Sequence, residues 1–199
     1  FGVMIAVSRS LQTHLGSSPN IPISGITIAV IYTGVFFLLE DLSRFCLHRL
    51  FHRIPWLWRY HRVHHSAPVL TPLTVYRVHP IEMSLYYLRS MLVFGLVSGV
   101  FIYLFGARLS GLDILGVDAA GFLFNLMGAN LRHSPIWLSF GLVEKLFVSP
   151  AQHQIHHSSD LAHRDKNFGT CLALWDRLIG SWVPAGQPKS LVYGLAKEV

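Results

Sequence analysis

Twelve histidines stand in a chain of 199 residues, and three groups of them have a spacing that can do chemistry. The first is His48-Arg-Leu-Phe-His52, the second His61-Arg-Val-His64-His65 and the third His153-Gln-Ile-His156-His157. On a helix, residues three and four apart share a face, with Cβ atoms about 5–6 Å apart. Each His-x-x-His-His therefore offers three imidazoles on one side, and His48 and His52 form a matching pair. Imidazole nitrogen suits iron, zinc, copper and nickel. One such cluster can be a polar helix face near a headgroup. Two copies and a further pair point to metal, because adjacent imidazoles are costly to bury without partners. Two short helices facing one another would surround a pair of ions.

The missing residues narrow the chemistry. The His-Glu-x-x-His of zinc proteases, with its glutamate base, is absent. Structural zinc favours cysteine, and Cys46 and Cys171 lie away from the clusters, form no Cys-x-x-Cys and read as small core residues. A soluble di-iron bundle brings Glu and Glu-x-x-His ligands, whereas none of the 10 acidic residues here falls inside a cluster. A centre held almost wholly by imidazole is the category left. Two alternatives are a membrane zinc hydrolase, which needs a carboxylate base, and a metal-binding or transport protein, which needs ionisable ligands inside its spans.

The elements that must position these histidines are apolar. Hydrophobic residues make up 52% of the chain, charged residues 13%, and the mean hydropathy is +0.45; a soluble domain carries about 25% charge. The net charge of +6 forms no basic stripe apart from the apolar spans, so nucleic acid is not expected as a partner. Residues Ile21 to Leu39 are an uncharged apolar run of 19, ended by Glu40 and Asp41, with Pro22 in the first turn. At ~1.5 Å per residue such a helix crosses a hydrocarbon core of roughly 30 Å. Met91 to Phe105, led in from Ile81, is a second candidate, and Leu112 to Gly128, broken by Asp113 and Asp118, a weaker third. Arg108 and Gly111 mark the turn of a helical hairpin between them. Arginine and lysine crowd segments 41–80 and 129–199, which the positive-inside rule places together in the cytoplasm. The opening FGVMIAV reads as the tail of a cut hydrophobic segment, so the expectation is one domain, 1–199, truncated at its N-terminus. The end from Gly186 to Val199 is expected to be loosely packed.

These motifs resemble the sterol desaturase/fatty acid hydroxylase superfamily of membrane non-haem di-iron enzymes. The likeness runs from about Glu40 to Trp182, through HRLFH at 48–52, HRVHHS at 61–66, RVHPIE at 77–82, NLRHS at 130–134, HQIHHS at 153–158, NFG at 167–169 and LWDRLIGS at 174–181. It implies an all-α membrane helical bundle with a cytoplasmic helical cap carrying the histidine boxes, multi-pass in a bacterial inner membrane. It implies two irons with about eight to ten histidine ligands, O₂ as cosubstrate, and hydroxylation or desaturation of a lipid C–H bond. Sterol, fatty acyl chain, carotenoid and ether lipid are all open. The chain contains no haem site, ferredoxin cysteine run or Gly-x-Gly-x-x-Gly, so the electrons are expected from an external cytochrome, ferredoxin or reductase.

Residue by residue, the resemblance assigns His48, His52, His61, His64, His65, His153, His156 and His157 as ligands. His79 matches the family's His-Pro step and is expected to ligate too; otherwise it is a helix N-terminal residue beside Pro80. Many relatives place a histidine just before Asn-Leu-Arg, where this chain has Gly128 and Ala129, and His133 is expected to replace it. His163 is expected near the site or at the surface, and His14 away from it. Asp41 is a candidate for orienting an imidazole, and Asn167 and Asp176 for hydrogen bonds near the site, with turn and cap chemistry as the other reading. Trp56, Trp58, Tyr60, Trp137, Trp175 and Trp182 fit an interfacial aromatic belt or a lipid entry.

Overall fold

The computed structural model describes residues 1–19, 21–108, 128, 130–188 and 190–195. Its α-helices are α1 (Gly2–Leu15), α2 (Gly25–Arg53), α3 (Pro55–His65), α4 (Pro80–Phe105), α5 (Pro150–His156) and α6 (Leu174–Ile179). Short 3-10 turns occupy Pro72–Tyr76, Gly106–Arg108, Gly141–Lys145 and Leu161–His163. Among the described residues the only β pairing is two isolated bridges, Phe147 with Leu172 and Ser158 with Tyr193. The all-α expectation holds, and α2 and α4 are long and apolar enough to cross a bilayer, as a membrane helical bundle requires. The third expected span, 112–128, lies outside the described residues except for Gly128.

Helix α2 differs from its sequence reading at both ends. It begins at Gly25, leaving Pro22 before the helix, and it passes through Glu40 and Asp41 to Arg53. The charges do not stop it because they are accommodated within the helix pair. Arg89 of α4 donates to Glu40 Oε2 at 2.9 Å and to Glu40 Oε1, and a further N–H reaches Ser43 Oγ at 2.7 Å. Asp41 is buried. A paired, multiply hydrogen-bonded charge can sit in an apolar helix that an unpaired one would break.

Contacts divide the chain into two compact units. One comprises 1–43 and 87–124, the other 44–86 and 125–199. The first has a core of Ile28, Tyr32 and Phe36 from α2 with Val97 and Phe101 from α4. Tyr32 hydroxyl and Ser98 Oγ, both fully buried, satisfy each other at 2.9 Å. Gly95 and Gly99 form a Gly-x-x-x-Gly stripe on α4, the small-residue pattern that lets membrane helices approach closely. Helix α1 lies against it: a Cβ at Gly95 would stand 2.5 Å from Val3 Cβ, and one at Gly99 2.7 Å from Val7 Cβ.

The second unit is built from short helices with strong stop and start signals. Pro55 opens α3 and Pro150 opens α5, positions where the missing N–H costs nothing. Ser149 caps α5 by accepting from Gln152 N–H, while the Gln152 side chain accepts from Ser149 N–H, a capping box. Buried Glu144 fixes that corner by accepting from Ser139 Oγ, Phe140 N, Ser149 Oγ and Ala185 N. Burial works against its charge, but the donors from Ala185, Ser149, Ser139 and Phe140 outweigh it and hold the carboxyl below its ordinary value. Gly180, at φ 76°, ends α6 in the left-handed conformation that suits glycine. The tail is not loose where it is described. Leu191 packs on Ala151, Ile155 and Ala185, and Val192 O accepts from Ser159 N at 2.9 Å.

Candidate metal centre

Nine histidines of the second unit converge in two groups. His48, His52, His61, His65 and His156 form one; His64, His133, His153 and His157 form the other, and within each group the ligand nitrogens lie within 4.8 Å of one another. Eight of the nine are buried, and His52 is nearly so. Helix α2 supplies His48 and His52, α3 supplies its three, α5 with its C-cap supplies three, and His133 follows the helical residues 130–132.

Each His-x-x-His-His is split between the groups rather than serving one ion. His61 and His65 enter the first group and His64 the second; His153 and His157 enter the second and His156 the first. Helical geometry explains this. Residues four apart are rotated by only ~40° and aim at one point, whereas the one between them at i+3 diverges toward the neighbouring group. The two boxes thus contribute in exchanged fashion, two and one against one and two.

Hydrogen bonding determines which nitrogen of several rings is free. His48 Nδ1 donates to Phe168 O at 2.7 Å and His156 Nδ1 to Lys166 O at 2.8 Å, while His61 Nδ1 and Glu82 Oε1 share a hydrogen bond at 2.7 Å. A neutral imidazole whose proton is on Nδ1 leaves a bare lone pair on Nε2. Yet His48 Nε2 and His61 Nε2 face each other at 3.2 Å, and His65 Nε2 is 3.2 Å from His61 Nε2. In the second group His133 Nε2 lies 3.1 Å from His64 Nε2 and 3.0 Å from His153 Nε2, and His157 Nε2 is 3.2 Å from His153 Nε2. Buried Nε2 atoms of His52 and His156 meet no hydrogen-bond partner among the described residues. Where both rings carry the proton on Nδ1, facing Nε2 lone pairs repel one another without a cation. Nitrogens bound to one ion at ~2.1 Å and at right angles stand about 3 Å apart. The donor set therefore fits a metal ion in each group.

Burial also keeps these rings neutral, the state that binds metal. It pushes His64 down to about 3, with His133 and His156 adding to the effect and the backbone of Arg77 and Thr74 opposing it. Burial pushes His156 to about 4, against the pull of the Lys166 carbonyl. His61, His65, His153 and His157 are lowered as well, chiefly by burial and then by neighbouring histidines.

The remaining candidates fall elsewhere. His79 is in neither group; its Nδ1 accepts from Ile81 N–H at 3.1 Å at the start of α4, and its ring packs on Tyr60. His163 closes a 3-10 turn and His14 is exposed on α1, both apart from the groups. Trp58 packs on His52 and His65, with ring centroids at 5.2 and 5.5 Å, while Trp56 is exposed. Sequence reasoning missed Glu82, the last residue of RVHPIE. Its place two residues after a helix-opening proline was a signal for the helix start, not for a bond to His61. The Lys166 and Phe168 carbonyls left no signal in side-chain types.

The fatty acid hydroxylase family profile matches residues 33–181, and this chain belongs to that family. Relatives include an ornithine lipid hydroxylase of Rhizobium tropici, 29% identical over 81% of this chain and 45% of its own length. Alkylglycerol monooxygenases of Danio rerio and Homo sapiens are 26% and 24% identical over 82% of this chain, which covers 32% and 33% of them. The chain spans less than half the length of the curated relatives it matches. No solved structure matches it.

Proposed function

We propose that this chain is a membrane di-iron oxygenase that hydroxylates a C–H bond of a lipid, using O₂ and electrons from a separate protein. The observation that carries the reading is the pair of imidazole groups whose Nε2 atoms face one another at 3.0–3.2 Å. His48, His52, His61, His65 and His156 would hold one iron, and His64, His133, His153 and His157 the other. Bound iron supplies O₂ activation and removal of a hydrogen atom from an unactivated carbon. The protein's share is orientation and dryness: carbonyls fix the tautomers of His48 and His156, Glu82 holds the His61 ring in place, and burial keeps the rings neutral and water excluded. Helix α2 carries both an apolar run and, further along the sequence, His48. A lipid in the bilayer is then a substrate within reach. The names of the relatives, an ornithine lipid hydroxylase and an alkylglycerol monooxygenase, support hydroxylation over desaturation. We place the metal groups on the cytoplasmic side from the charge bias.

Two measurements test the proposal. Anaerobic loading of the purified protein with ferrous iron should give two irons per chain; one, after full reconstitution, contradicts the dinuclear reading. Mass spectrometry of lipids from cells with and without the gene should show a species heavier by one oxygen. A product lighter by two hydrogens would instead establish desaturation.

A further inference from the structure

Beyond the ligands, the described ring contacts and ring hydrogen bonds of the segment Lys166-Asn167-Phe168-Gly169 fall on the five-histidine group. We infer that this loop, locked by Asp176 and Asn167, is the positioning device of the five-histidine centre; the inference rests on the reading that the groups hold metal.

Two backbone carbonyls, two residues apart, act on two rings of the same group. Lys166 O takes the Nδ1 proton of His156 and Phe168 O takes that of His48. Both rings are thereby set to offer Nε2, and both are fixed in rotation. The Phe168 ring, fully buried, adds edge contacts to His48, His52 and His156 at 5.8, 5.2 and 5.8 Å between centroids.

A carbonyl orients a ring only if it is itself held. Asp176, 1% exposed, accepts from Phe168 N at 2.8 Å and Gly169 N at 2.6 Å with its two oxygens, and from Ser181 Oγ. Charge-assisted bonds of this kind are about twice as strong as neutral ones. Asn167 sits at φ 53°, a left-handed conformation that asparagine tolerates better than most residues. Its side chain donates to Val183 O and accepts from Val183 N at 3.0 and 2.8 Å, fastening the turn from the other side. Gly169 leaves no room for alternatives: a Cβ there would come within 2.8 Å of Leu172 O and 2.9 Å of Asp176 Oδ2. The NFG and WDR segments of the sequence are thus two halves of one clamp.

The test compares ferrous-iron titration and ⁵⁷Fe Mössbauer spectra of the whole protein with those of Asp176→Asn and Asn167→Gly. Asp176→Asn replaces one accepting oxygen by a donor facing a backbone N–H. Asn167→Gly keeps the backbone conformation and removes the fastening, so it remains informative where the first variant fails to fold. In either variant one iron should bind 10–100-fold more weakly, the usual loss when an orienting partner is removed. The other should keep its affinity and spectrum, which doubles as the control for folding. Both irons weakened in step, or both retained at full affinity, overturns the clamp while leaving the metal reading intact. An unaltered protein that takes up no iron overturns both.

Discussion

His64 and His156 use the same lone pair for a proton and for a metal. With folded values near 3 and 4 against an ordinary 6.5, the folded state binds fewer protons than the unfolded one between those limits. Stability of the metal-free protein therefore falls as pH drops below about 6.5, by on the order of 1 kcal/mol per pH unit for each such histidine. Thermal unfolding of metal-stripped protein from pH 8 to 5 should show a falling Tm on the acid side; a Tm that rises toward pH 5 contradicts the burial. The split of the boxes makes a sharper expectation. His156→Ala should weaken the same iron as His48→Ala, and His153→Ala should weaken the other, as read by Mössbauer spectra. His79→Ala should leave both, because its imidazole caps α4. That the histidines of the three boxes come together was legible in the sequence, because histidine spacing is itself the signal. The 2-and-1 partition was not, since it depends on where the neighbouring helix points, and His133 and His79 were separated only by tertiary placement.

At the scale of elements, the histidine spacing alone pointed to short helices at α3 and α5 and their caps and prolines went unread, whereas α2 ran 14 residues past its apolar stretch. The charges at Glu40 and Asp41 read as a stop only while Arg89 was out of view, 49 residues along the chain. Glu144 was equally silent: a lone glutamate among LVEK gives no hint that four donors converge on it. Its removal should matter. Glu144→Ala strands buried Ser149 and Ala185 donors at the N-terminus of α5, and unsatisfied buried groups cost about 1–3 kcal/mol each. We expect a loss of roughly 3 kcal/mol or more in chemical denaturation, with weakened iron binding through His153, His156 and His157. A variant as stable as the parent would show that the hub is ornamental.

At the scale of the molecule, His64 sits with His133, His153 and His157, so we expect the segments around the first two and the third histidine boxes to lie on one side of the membrane. Single cysteines at Ser66 and Ser158, in a background lacking Cys46 and Cys171, should show equal protection from an impermeant reagent applied outside. Unequal labelling would be incompatible with the shared group. Family membership fixes the lineage of residues 33–181, and the longer relatives leave substrate and partner to experiment.

The Glu40–Arg89 pair also bears on how the protein is made. Each partner is a charge at the edge of the apolar run of its own candidate span, Glu40 just after Leu39 and Arg89 shortly before Met91, where a lone charge costs less than the about 2.5–3.5 kcal/mol it costs at a helix centre. Helices α2 and α4 thus carry opposite handicaps that cancel only when both are present. The translocation machinery would have to hold α2 until α4 emerges, releasing them to lipid as a couple. Glycosylation mapping of the isolated 25–53 segment should then show poor insertion, improved by Glu40→Gln. Efficient insertion of the unaltered segment alone would mean that the pair forms after each helix has entered separately.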